Sequence, residues 1–109
     1  MTKPELIDLL KKLEIPFNEG TPNDKVIEAS EIIYFWDYNW EDLVASGKEY
    51  DTNVTYQISF LAEIPRSPKL LDLKHKLNDI GLHPSIQHEY DPKTRRWHSY
   101  FALEVLENI

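Results

Sequence analysis

From Asn53 to Ile64 the chain alternates almost without exception. Val54, Tyr56, Ile58, Phe60, Ala62 and Ile64 fall on one parity, and Asn53, Thr55, Gln57, Ser59, Leu61 and Glu63 on the other, with Leu61 the one apolar residue among them. A period of two sends successive side chains to opposite faces, so this stretch reads as a half-buried strand with one wet side. Such a strand needs hydrogen-bonded neighbours and a layer over its apolar face, which restricts the chain to sheet-containing architectures.

The flanking segments supply both. Leu6, Leu9, Leu10 and Leu13 recur at helical spacing behind Thr2, a cap candidate, with Glu5 placed to complete a capping box and Pro16 to end the helix. Ile32 to Trp40 is rich in β-branched and aromatic residues and predicts a strand with Ile32, Tyr34, Trp36, Tyr38 and Trp40 on one face and Ile33, Phe35, Asp37 and Asn39 on the other. Glu41 to Asp51 reads as a polar connection with a short helical turn over Asp42–Ala45. After Pro65, Ser67 suits an N-cap and Pro68 the first helical position; Leu70, Leu73, Leu77 and Ile80 form the buried stripe, and Gly81 is placed for a left-handed cap. Ile86, His88 and Tyr90 then match Trp97, Phe101, Leu103 and Val105 as a hairpin in which Tyr90 faces Trp97, Ile86 faces Phe101, and Asp91 and Arg96 close a four-residue loop. The expected fold is α+β, in the order helix–strand–strand–helix–strand–strand: a mostly antiparallel sheet with two helices packed on one face. Residues 1–109 form a single domain, with 18–31 an irregular acidic loop.

A chain of 109 residues buries roughly two thirds of its unfolded surface, enough for one core. Without cysteine, disulfides and thiolate metal sites are excluded. There is no apolar signal core behind a basic cluster and no run approaching a membrane span, so neither secretion through a signal peptide nor membrane insertion is expected. The net charge of −7 is concentrated in the first 50 residues, which carry eleven acidic and five basic side chains. Such a chain repels phosphate backbones, so sequence-specific nucleic-acid binding is not expected.

Residue patterns for bond-making chemistry are sparse. His75, His83, His88 and His98, with Asp72 or Asp79, match no ligand spacing, and no histidine pair stands at i, i+4 on a helix. Asp37, Glu41 and Asp42 lie beside Trp36, Tyr38 and Trp40, a carboxylate-and-aromatic pairing known in glycoside hydrolases, but a solvated strand end explains them as well. Gly20, Gly47 and Gly81 are too far apart for a phosphate loop, and no nucleophile stands in a recognisable triad context. No cofactor, metal or catalytic residue is therefore assigned. The most distinctive stretch is aromatic: Tyr34, Trp36, Tyr38 and Trp40 are hard to bury in one small domain, and tyrosine and tryptophan are enriched where proteins meet. With Lys93, Arg95 and Arg96 at the hairpin tip, these four are the candidate protein-interface residues.

The run Val54-Thr55-Tyr56-Gln57-Ile58-Ser59-Phe60-Leu61-Ala62 is followed by a helix carrying Leu70-Leu71-Asp72-Leu73 and Leu77-Asn78-Asp79-Ile80-Gly81, then by a hairpin ending Trp97-His98-Ser99-Tyr100-Phe101-Ala102-Leu103. This resembles the small minor structural proteins of long-tailed phages and prophages, in the tail-terminator or tail-completion group. The likeness covers the order of elements over most of residues 1–106. It is specific over about residues 53–103, through patterning rather than an invariant motif, so no family residue carries over. The resemblance implies a homo-oligomeric ring, commonly a hexamer, though some such proteins stay monomeric until they meet the tube end. It implies a place at the head-proximal end of the tail tube, with the tail tube protein and the head–tail connector protein as partners. The location it implies is the virion tail, with assembly in the host cytoplasm, and it implies neither catalysis nor a cofactor. Head-to-tail contacts between two different patches suit such a ring, with the acidic N-terminal half meeting the basic tip of a neighbour. The competing readings are a soluble adaptor or inhibitor from a mobile element, binding one partner through its aromatic face, and a small hydrolase using Asp37, Glu41 or Asp42.

Overall fold

Thr2 opens helix α1 (Lys3–Lys11): its hydroxyl oxygen accepts a hydrogen bond from the Glu5 amide at 3.3 Å and donates to the Glu5 carboxylate at 3.1 Å, a variant of the expected capping box. The computed structural model describes residues 1–20, 29–43 and 51–109. After α1 come β1 (Phe17–Glu19), β2 (Glu31–Leu43), β3 (Asp51–Ala62), α2 (Pro68–Asp79), β4 (Gln87–Asp91) and β5 (Arg96–Glu107). The strands form one sheet in the order β1-β2-β3-β5-β4, antiparallel except for β1, which runs parallel to β2. The protein is thus α+β, with two helices among the described residues and a mostly antiparallel open sheet.

The long alternating strand β3 lies at the centre and pairs along nearly its whole length with β2 on one side and β5 on the other. Its apolar parity, with Ile33 and Phe35 of β2 and Phe101, Leu103 and Val105 of β5, packs against Leu6, Leu9 and Leu10 of α1, Leu13 of the turn that follows, and Leu70, Leu73 and Leu77 of α2. The hairpin register is the expected one: Tyr90 faces Trp97 and Asp91 faces Arg96. Arg95 ends the loop in the left-handed region, φ 57°.

Several expectations need correction. The element order contains an additional strand: α1 already stops at Lys11, ahead of Pro16, and the Pro16 carbonyl accepts from the Ile33 amide at 3.0 Å and so starts β1 beside β2. Three residues are too few to show a period in the sequence. Of the expected acidic loop, Asn18 and Glu19 belong to β1 and Glu31 to β2, while residues 21–28 lie outside the described ones. Asp42 and Leu43 extend β2 rather than start a helical turn, and Val44 and Ala45 also lie outside the described residues. Ile80 does not join the buried stripe: α2 stops at Asp79, Ile80 leaves helical geometry at φ −101°, and its side chain is 52% exposed.

The helix ends are closed as expected. The Ser67 hydroxyl oxygen accepts from the Lys69 amide at 3.2 Å, and the hydroxyl donates to Glu31 of β2 at 2.7 Å, tying α2 to the sheet. Gly81 adopts φ 84°, and the Leu82 amide returns to the Leu77 carbonyl at 2.9 Å. A Cβ at Gly81 would meet no atom within 4 Å, so replacement costs backbone strain alone. Gly81→Ala is expected to lower the unfolding free energy by about 1 kcal/mol, measured by denaturant titration.

A polar network anchors α1 to three strands. The Lys3 ammonium donates to Tyr56 Oη of β3 at 2.9 Å and pairs with Glu19 of β1 at 3.0 Å, and Tyr56 Oη donates to Glu107 of β5 at 2.6 Å. Burial, then the bond to Glu107, pushes the Tyr56 phenol up to about 12. Burial pulls the Lys3 ammonium down, but its bonds to Tyr56 and Glu19 outweigh that, and its pKa ends above the ordinary value of 10.5. Both groups hold a proton more tightly in the folded state. Their contribution is therefore whole below the unfolded-state values, 10.0 for Tyr56 and 10.5 for Lys3, and is lost as pH rises through the higher folded-state values. The thermal midpoint is expected to decline across that alkaline window, and Tyr56→Phe to flatten the decline while costing about 1–2 kcal/mol at neutral pH; calorimetry over a pH series checks both.

Candidate interaction surface

Both helices lie on the apolar face of β3, and no described helix covers the other face. Cross-strand partners place Ile32, Tyr34 and Trp36 of β2 opposite Leu61, Ser59 and Gln57 of β3, and those opposite His98, Tyr100 and Ala102 of β5. Residues directly opposite one another share a face. Ile32, Ser59 and Leu61 are buried there, while Tyr34, Trp36, His98 and Tyr100 stay half-buried.

The half-buried rings form a connected stripe. Tyr34 stacks on Trp36 with centroids 5.6 Å apart and on His98 at 6.2 Å, and His98 leans on Tyr100 at 5.0 Å. Polar groups fix the rings. His98 Nδ1 lies 3.1 Å from Glu89 of β4, and the Tyr100 hydroxyl donates to Gln87 at 3.0 Å. Burial raises the Tyr34 phenol pKa, a hydrogen bond to Ser59 works the other way, and the charges of Asp91 and Glu89 add to the rise. The result is an ordered aromatic surface with hydrogen-bonding tips, suited to a protein partner that leaves some polar groups wet.

The four predicted aromatics do not share one face. The pairing shifts between Asp37 and Asn39, leaving Tyr38 as the extra residue of a β-bulge. Upstream of it, Trp36 faces Gln57 on the uncovered side; downstream, Trp40 faces Val54 and so points to the helix side. Asn39 changes sides for the same reason, facing Thr55. Tyr38 itself is 58% exposed and lines a 310 Å³ groove across the uncovered face with Gln57, Tyr100 and Ala102. Trp40 is 64% exposed, its indole N–H held by Asp37.

The basic tip also changes. Lys93 and Arg95 are exposed, but Arg96 is buried within the sheet, because it opposes Asp91 in the ladder rather than standing in the loop. The carboxylates of the hydrolase reading do not meet at one point. Asp37 faces Tyr56 on the helix side and Glu41 faces Asn53 on the other, while Asp42 accepts from Thr52 at 2.9 Å. Among the described residues no group of three or more histidine and acidic side chains is placed to hold a metal ion, and no helix is long and apolar enough to cross a membrane. His88 and His98 lie on opposite faces: His88 meets Ser99 at 2.7 Å on the helix side.

Sequence reasoning places neither Tyr100 nor His98 on an interface and weighs His98 only as a metal ligand. Both sit on the polar parity of β5, and their membership in the stripe depends on the register with β2 across β3.

No protein-family model matches the sequence, and no curated protein matches it. Among solved structures the chain is similar to the sheath/tube terminator of an extracellular contractile injection system, PVC, in its extended state, at 11% sequence identity and a TM-score of 0.35. The likeness covers 100% of this chain and 58% of that one, so the chain spans somewhat over half the length of that protein.

The bulge gives the two tryptophans of β2 different roles in stability. Trp36→Ala, which removes the stack on Tyr34, is expected to cost about 1–2 kcal/mol. Trp40→Ala, on the exposed stretch, is expected to change stability by about 0.5 kcal/mol or less. Urea unfolding of the two variants checks the contrast.

Proposed function

We propose that this protein is a ring-forming structural component of the phage tail-terminator kind. Copies join head to tail into a ring at the head-proximal end of a tail tube, halt tube growth, and present a surface to the head connector. The observation that carries the reading is an open sheet with one face that no described helix covers, an aromatic stripe on that face, and an incompletely paired strand near each side. Edges that retain backbone donors and acceptors suit repeated addition of like subunits. The stripe of Trp36, Tyr34 and Tyr100, with Tyr38 beside it, suits a partner stacked on the ring, in this reading the tail tube protein or the connector. Lys93 and Arg95, beside the outermost strand β4, supply positive charge toward the acidic surface of a neighbouring copy. The sequence pattern over 53–103 supports the same assignment. A ring works through shape and contact area, and this reading asks for no cofactor and no turnover.

Light scattering from micromolar to millimolar protein tests this. The expected result is a mass that rises to a fixed integer multiple of 12.9 kDa. Lys93→Glu with Arg95→Glu should weaken assembly, most at low salt. Arg96 is left intact because a buried carboxylate there would disturb the fold. A mass constant at one chain would favour an adaptor that uses the aromatic face as a monomer.

A further inference from the structure

Resting on the ring reading, we infer that the subunit contact is an arm-in-groove joint: residues 37–43 of one copy seat against the free side of β4 in a second copy, with Trp40 in the groove between β4 and α2. The arm is the far half of β2. β1 pairs with β2 only from Ile33 to Phe35, so beyond Trp36 the outer side of β2 has no strand partner among the described residues. Its seven residues, Asp37 to Leu43, are all exposed; they include three carboxylates, two aromatics and a leucine, and no base.

The receptor lies at the other side of the sheet. β4 is the outermost strand, and on its helix side a 370 Å³ groove has apolar walls of Leu71, Pro84 and Ile86 and a rim of Arg66, Lys74 and His88. No carboxylate lines it. A basic-rimmed apolar groove on a chain of net charge −7 is matched by an acidic, aromatic strand on the same chain. That charge complementarity names a second copy as the occupant.

The bulge supplies an independent geometric reason. When two sheets continue edge to edge, each side chain keeps its side of the sheet. Without the extra residue at Tyr38, Trp40 would lie on the uncovered face and miss the groove. With it, Asp37, Trp40 and Asp42 all face the helix side, where the groove opens. Donor and receptor are different patches near opposite sides of one sheet, a head-to-tail contact that gives a ring where its rotation closes and never a two-fold dimer.

Sedimentation equilibrium of the full chain tests the joint. Trp40→Ala is expected to weaken self-association at least tenfold, as loss of a central aromatic anchor does. Lys74→Glu and Asp37→Lys are each expected to weaken it about tenfold, and a chain carrying both reversals to recover most of the loss. Arg66→Gly guards against misfolding as an explanation: Arg66 sits at φ 52°, where glycine relieves strain, so this variant should keep its thermal midpoint and still associate more weakly. If the wild-type chain assembles and these variants assemble within twofold of it, the joint is wrong and the ring reading stands; an acidic segment of another protein in the groove would give that result. A wild-type chain that stays monomeric to millimolar concentration overturns the joint as a contact between free copies.

Discussion

Helix length is the constraint on which the surface of this protein depends. Helices α1 and α2 have 9 and 12 residues and so span about 14 and 18 Å. The three central strands have 12 or 13 residues and span about 40 Å. These two helices cover the apolar parity of the sheet near its middle; on the other face Tyr34, Trp36, His98 and Tyr100 stay half-buried, and the far half of β2 is exposed. The elongated extents of 50 × 29 × 22 Å follow from the same mismatch. The core is well filled, with Phe35, Phe60 and Leu10 fully shielded, so the exposure of these regions does not come from loose packing.

The fold divides into parts that local pattern specifies and parts that it does not. The alternation at 53–64, the leucine stripes of both helices, the Ser67–Pro68 start, the Gly81 stop and the hairpin register were all legible, because each depends on residues close in sequence. β1 was not, since three residues carry no period and its pairing is set by a proline carbonyl meeting a distant amide. The end of α2 was misread for a related reason. Ile80 continues the spacing of Leu73 and Leu77, and only the geometry of the glycine cap turns it outward.

The surface was legible in composition but not in arrangement. That the aromatics of 34–40 exceed what one small core can hold follows from their number alone. Their division between two faces does not, because a bulge is a shift of register against β3 and no residue type in β2 marks where it falls. Arg96 illustrates the converse: a base beside two exposed bases reads as part of a tip, yet the ladder draws it inward. The stripe through Tyr34, His98 and Tyr100 needs three strands in register before it exists. The groove of Arg66, Lys74 and His88 gathers residues from a loop, a helix and a strand.

Tyr38 has a consequence for how this chain can change. Upstream of it β2 is read in one frame and downstream in the opposite frame, so a single strand writes two separate messages, one to the domain's own interior and one to the outside. Point substitutions edit either message without touching the other. Loss or gain of one residue at that position would invert the outward text wholesale, exchanging which side chains look up and which look down, while the letters themselves stay the same. Diversity in the arm can therefore come from indels at one site as readily as from replacement along its length.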